Sequence, residues 1–160
     1  VSSTSRGLGD VYKRQPQAHI SRGLPKTDFV ESYSRFAKSL IAIGGGEGKD
    51  VSVGHRIEII AQTNPYTDDV SNGMHVQVLM AGQPRADVQV ELFERPFNSD
   101  GEAQISLHTT DINGIAIFPV TVGHEYMVDN VALIPIEPQV EGDPVWQSIW
   151  ANLTFYIPIK

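Results

Sequence analysis

The chain of 160 residues has no cysteine. That excludes disulfides, thiolate catalysis and cysteine-ligated zinc, and it leaves the redox compartment open. Positive charge is scarce: 12 lysines and arginines stand against 19 aspartates and glutamates, for a formal net charge of −7. Binding nucleic acid through phosphate neutralisation needs clustered Lys and Arg, so that class is excluded. The acidic residues are scattered, the pattern of a solvated surface. No apolar run approaches the roughly 18 residues of a membrane helix. Catalytic motifs are missing too. There is no Gly-x-Ser-x-Gly, and Ser148 lies in strand-like sequence with no paired base evident. Gly44-Gly-Gly-Glu-Gly-Lys lacks the spacing of a phosphate loop. The chain is not expected to be an enzyme. No signal peptide is visible, but the sequence begins at Val1 and not at Met, so a leader could lie upstream.

What is present is period-two alternation. Val76 and Val78 alternate with Gln77, and Val88, Val90 and Leu92 alternate with Gln89 and Glu91. Such alternation marks half-buried strands. Pro84 lacks the ladder N–H, so Gly82 to Ala86 reads as a connection. Asn113-Gly114 supplies residues that tolerate positive φ in a tight turn. Asp111-Ile-Asn-Gly also resembles the start of a calcium loop, but position twelve is Val122 where an acidic ligand is required, so the hairpin turn is favoured. The expected fold is all-β: an immunoglobulin-like or transthyretin-like antiparallel β-sandwich of about seven strands from His55 to Ile157. Its predicted core is Ile57, Ile59, Val76, Val78, Val88, Val90, Leu92, Ile105, Leu107, Leu153 and Phe155.

Three regions are expected along the chain. Residues 1–15 are rich in Ser, Gly and Arg, carry no apolar face, and read as a non-native or disordered terminus. Residues 16–45 read as the remnant of a preceding domain with its linker, and residues 46–160 as the sandwich. Within the remnant, Asp28 and Glu31 have capping-box spacing, and Phe29, Tyr33, Phe36 and Leu40 keep helical spacing. Against this, Leu40-Ile-Ala-Ile before Gly44-Gly-Gly reads as a strand running into a loop. Ser34 to Ile43 also aligns weakly with Ser148 to Ile157, which points to a last strand. A short helix or a strand are both open. Gly44 to Val53 reads as a flexible linker.

Five histidines invite a metal reading. Their spacing is wide, with no His-x-His or His-x-x-x-His. His75 and His108 take the polar parity of their strands and are expected to face outward as plain surface histidines. His55 shares parity with Ile57 and Ile59, while Glu58 points the other way, and His124 sits beside Glu125. Imidazole and carboxylate are ligands for transition metals, so His55, His124 and Glu125 are the candidate metal ligands. The plainer reading is isolated titrating histidines.

On the last strand, Ile149, Ala151, Leu153, Phe155 and Ile157 are expected to point inward. The opposite face then carries Trp146, Trp150, Asn152, Thr154 and Tyr156. Such an amphipathic face meets something, and Trp146, Trp150 and Tyr156 are the candidate partner-binding residues. The plainer partner is the same protein: Phe29, Tyr33 or Phe36 is expected to cover Trp150, which should be at least half buried.

Several segments together resemble one family. They are Gly54-His-Arg-Ile-Glu-Ile-Ile, Thr63-Asn-Pro-Tyr, Val76-Gln-Val-Leu with Gly82-Gln-Pro, Thr110-Asp-Ile-Asn-Gly and Trp146-Gln-Ser-Ile-Trp-Ala-Asn-Leu-Thr-Phe. With Tyr33-Ser-Arg-Phe-Ala-Lys-Ser-Leu, they resemble an uncharacterised domain family found as a periplasmic component of cobalt and nickel uptake systems. The resemblance covers about Asp28 to Lys160. The stretch from Gly82 to Phe118 is also similar to transthyretin-like and carboxypeptidase-regulatory-like sandwiches. The resemblance implies a periplasmic or secreted location, nickel or cobalt as the metal, and two partners: a preceding domain of the same protein and a metal-transport component in the membrane. The alternative is an adhesion or scaffold module that binds protein or glycan through the tryptophan face.

Overall fold

The computed structural model describes residues 17–25 and 27–159. The expectation for residues 1–15 lies outside them. Among the described residues there are nine strands: β1 (Val30–Ser39), β2 (Ile57–Ala61), β3 (Met74–Met80), β4 (Gln83–Pro84), β5 (Gln89–Pro96), β6 (Gln104–Thr109), β7 (Ile115–Phe118), β8 (His124–Pro135) and β9 (Pro144–Tyr156). Eight of them fall in the region expected to hold about seven, because β4 adds a two-residue bridge to β3 at Pro84. One sheet has the order β1-β9-β8-β5-β6; in the other, β3 pairs with β2, β4 and β7. The fold is an all-β sandwich.

The chain divides into two compact units. One holds the residues up to Ser34 with Val131–Trp150; the other holds Arg35–Asn130 with Ala151–Lys160. The larger unit contains most of the core. Val76 and Val78 of β3, Val90 and Leu92 of β5, Val128 of β8, and Leu153 and Phe155 of β9 are buried, as are Ile57 and Ile59. Apolar burial of this kind is the main driving force for the fold, at about 25 cal/mol per Å². Val88, expected with them, is half-buried. The Asp111–Gly114 turn forms as read. Asp111 Oδ1 accepts from the backbone N–H groups of Asn113 and Ile115 at 2.8 and 2.9 Å. Gly114 has φ +73°, and a Cβ there would meet the Val78 carbonyl oxygen at 2.7 Å, so the turn needs glycine.

Three outcomes bear on the expectations. Of the helix and the strand left open for the N-terminal segment, the strand forms, as β1, and a helical turn lies earlier, at residues 17–21. On β6 the parity is inverted. Ile105 and Leu107 are 38% and 52% exposed, while His108 turns to the Phe118 ring at 5.5 Å between centroids. The register explains it: Leu107 lies opposite Glu91 and Ile105 opposite Phe93, so both share the outer face, while His108 is level with the inward Val90. Burial pushes the His108 pKa down. Third, the glycine-rich stretch is strapped down. Asn64 Nδ2 donates to the Gly46 and Gly48 carbonyls at 2.8 and 3.1 Å, and the Ala61 N–H donates to Asp50 Oδ2 at 2.9 Å.

Candidate functional site

Two buried acidic groups stand in the larger unit. The first surrounds Glu58, which sits on β2 between core isoleucines and, contrary to the outward expectation, is buried. Lys38 of β1 reaches it at 3.4 Å and reaches Asp50 at 2.8 Å. Ser52 Oγ and the Val53 N–H donate to its carboxylate at 2.7 and 2.8 Å. Burial raises the Glu58 pKa, but the Val53 N–H, the Ser52 hydroxyl and Lys38 outweigh that and hold it below the usual range. With its oxygens so engaged, this group is structural.

The second lies on the outer face of the five-stranded sheet. Glu91 of β5 and Asp129 of β8 are directly opposite each other in the register, and both are buried. Asn152 of β9 donates to Asp129 Oδ1 at 2.6 Å, and Gln89 donates to Glu91 Oε1 at 3.1 Å. Burial, and then the like charge of Glu91, push the Asp129 pKa up to about 7; Arg35 and the Asn152 bond pull the other way. Like charges directly across a strand pair repel, so Asp129 holds its proton far above an ordinary aspartate. Along the same strands runs an open groove of about 490 Å³. Phe93, Met127, Thr154 and Tyr156 line it, with Arg95 and Glu125. Arg95 and Glu125 form an ion pair with each other. The Tyr156 ring packs tilted against Phe97, with centroids 4.6 Å apart.

The expected metal ligands do not assemble. His55 packs on the Phe36 ring at 5.0 Å. His124 opens β8, with its Nδ1 3.3 Å from the Val122 carbonyl, and Glu125 is held by Arg95. Among the described residues no three His, Asp or Glu side chains form a group that could hold a metal ion, so His55 does not join His124 and Glu125 in one.

The expected partner face divides. Tyr156 reaches the groove in the larger unit. In the smaller unit Trp150 is half-buried and its indole N–H donates to Ser148 Oγ at 3.0 Å. Trp146 is only 4% exposed, and so offers an outside partner almost nothing. Its indole N–H donates to His19 Nδ1 at 3.0 Å, and the Arg22 guanidinium lies 4.7 Å over its ring. Arg22 also donates to the Val145 and Ile136 carbonyls at 2.8 and 2.5 Å. The N-terminal cover foreseen for Trp150 thus appears at Trp146, from His19 and Arg22. Phe29 packs tilted against His19, Phe36 against His55, and Tyr33 is 71% exposed.

The Glu91–Asp129 pair was missed. One half carried a signal, since Asp129 is a lone acid inside the apolar run Tyr126 to Ile134. Its partner could be found only from the register.

A family model described as a domain of unknown function (DUF4198) matches residues 6–132, and the chain belongs to that family. No curated protein and no solved structure matches it. Among the described residues no helix is long and apolar enough to cross a membrane.

Proposed function

Proceeding from membership of that family, we propose that the chain is a non-catalytic periplasmic binding module serving nickel or cobalt uptake. The observation that carries the reading is the groove on the outer face of the five-stranded sheet. Aromatic and methionine side chains, here Phe93, Met127 and Tyr156, are typical of recognition surfaces. The acidic groups beside them are engaged: Glu125 in an ion pair with Arg95, and Asp129 as acceptor from the Asn152 amide. Groups so occupied favour holding a partner over attacking a substrate. The link to nickel and cobalt rests on the sequence resemblance. Glu125 lines the groove, paired with Arg95, and His124 precedes it, so the His124 imidazole would meet a metal whose other ligands come from the partner, a transport component in the membrane.

Calorimetric titration with nickel and cobalt tests this, first on the chain alone and then with the transport component added. Saturable heat that His124→Ala abolishes is expected. Equal heats from the variant and the parent chain would remove the metal assignment. A second reading, an adhesion or scaffold module, is favoured by the tilted Tyr156–Phe97 pair, an aromatic patch of the kind that holds protein or glycan. Metal-independent binding to a glycan array, lost in Tyr156→Ala, would select it.

A further inference from the structure

Among the described residues, strand β6 is the last strand of its sheet and pairs with β5. The Thr110 N–H donates to the Val88 carbonyl at 3.0 Å, which makes Val88 and Thr110 a hydrogen-bonded pair. Counting back through the register, Val90–His108, Leu92–Ser106 and Glu94–Gln104 are hydrogen-bonded pairs, and those between them are not. The backbone N–H and C=O groups of Ile105, Leu107 and Thr109 therefore point away from β5, along the open edge. Such a row is a template for another strand.

Natural edges are defended by charge, proline or bulges. The opposite edge of this sheet, β1, has Glu31, Arg35 and Lys38. Strand β6, Gln-Ile-Ser-Leu-His-Thr, has no acidic or permanently basic residue and no proline, and it exposes Ile105 and Leu107. On a chain with net charge −7, a second copy is repelled by most surfaces, and this strand is one where no such repulsion arises. An antiparallel pairing about a two-fold axis at Leu107 sets that leucine against its own counterpart and Ile105 against the counterpart of Thr109. Apolar meets apolar or threonine, and no charge is buried.

We propose that β6 is a self-association edge, on which a second copy of this chain adds its own β6 antiparallel and joins two five-stranded sheets into one. Sedimentation equilibrium of the full chain from low-micromolar to millimolar concentration tests it. A reversible monomer–dimer equilibrium is expected. Leu107→Pro removes an outward N–H and leaves the β5 ladder intact; Leu107→Lys places charge against charge on the axis. Each should weaken the dimer by roughly tenfold or more, while Glu31→Lys on β1 leaves it unchanged. If Leu107→Pro loses its far-ultraviolet circular dichroism, Leu107→Lys decides. A parent chain that stays monomeric throughout overturns the proposal, including one that captures an extended peptide of other sequence. So does a dimer that neither Leu107 variant weakens.

Discussion

The two buried acidic groups of the larger unit use the same chemistry to opposite effect. At Glu58 a lysine, a hydroxyl and a backbone N–H converge on the carboxylate, and its pKa falls. At Asp129 a second carboxylate stands across the strand pair, and the pKa rises to about 7. Burial is common to both, so burial alone does not set the protonation state; the neighbours do. The stability consequences have opposite signs. Glu58, with its pKa depressed, contributes stability above its unfolded value of about 4.5, and this is lost as pH falls through the folded value. Asp129, with its pKa raised, contributes stability that is full below 3.8 and is lost as pH rises to about 7. Together the two groups favour a stability maximum on the acid side of neutrality.

The comparison breaks most severely at Lys38. Lys38→Met leaves Asp50 and Glu58 buried without their cation and should cost about 4 kcal/mol in urea unfolding near neutral pH. The effect should shrink in acid as Glu58 takes up a proton. Next in size is Asp129→Asn, which keeps an acceptor for Asn152 but cannot ionise. It should stabilise the chain by about 3 kcal/mol at about pH 8 and flatten stability across the acid-to-neutral window. An unchanged pH profile would show that Asp129 is ionised at no cost. The smallest effect is Glu91→Gln, which lifts only the like charge. It should lower the Asp129 midpoint by about one unit in a carboxyl NMR titration, leaving the part due to burial.

Legibility differs between strands for physical reasons. On β9, Ile149, Ala151, Leu153 and Phe155 keep one phase, which Ile157 just past its end continues, and all five are buried. Strand β6 has six residues and two apolar ones, too few to outvote the register imposed by β5, so His108 went inward and Leu107 outward. Glu58 misled differently: its strand is buried along its whole length, and the Asp50–Val53 strap that closes on it looked like free linker. The groove residues Phe93, Met127 and Tyr156 lie on three separate strands, and nothing local brings them together. Tyr156 was anticipated because β9 was read in the right phase.

The lock on Trp146 has an optical consequence. A carbonyl can only accept and an indole N–H can only donate, so His19, bonded to the Pro25 oxygen through Nε2 and to Trp146 through Nδ1, is the neutral tautomer protonated at Nε2. Both tryptophans of the chain, Trp146 and Trp150, belong to the smaller unit. Their emission is therefore a private channel for that unit; the tyrosines are divided, with Tyr33 in the smaller unit and Tyr66, Tyr126 and Tyr156 in the other. Following indole emission and far-ultraviolet circular dichroism through one denaturant series would tell, without any label, whether that unit melts with the rest of the chain or apart from it.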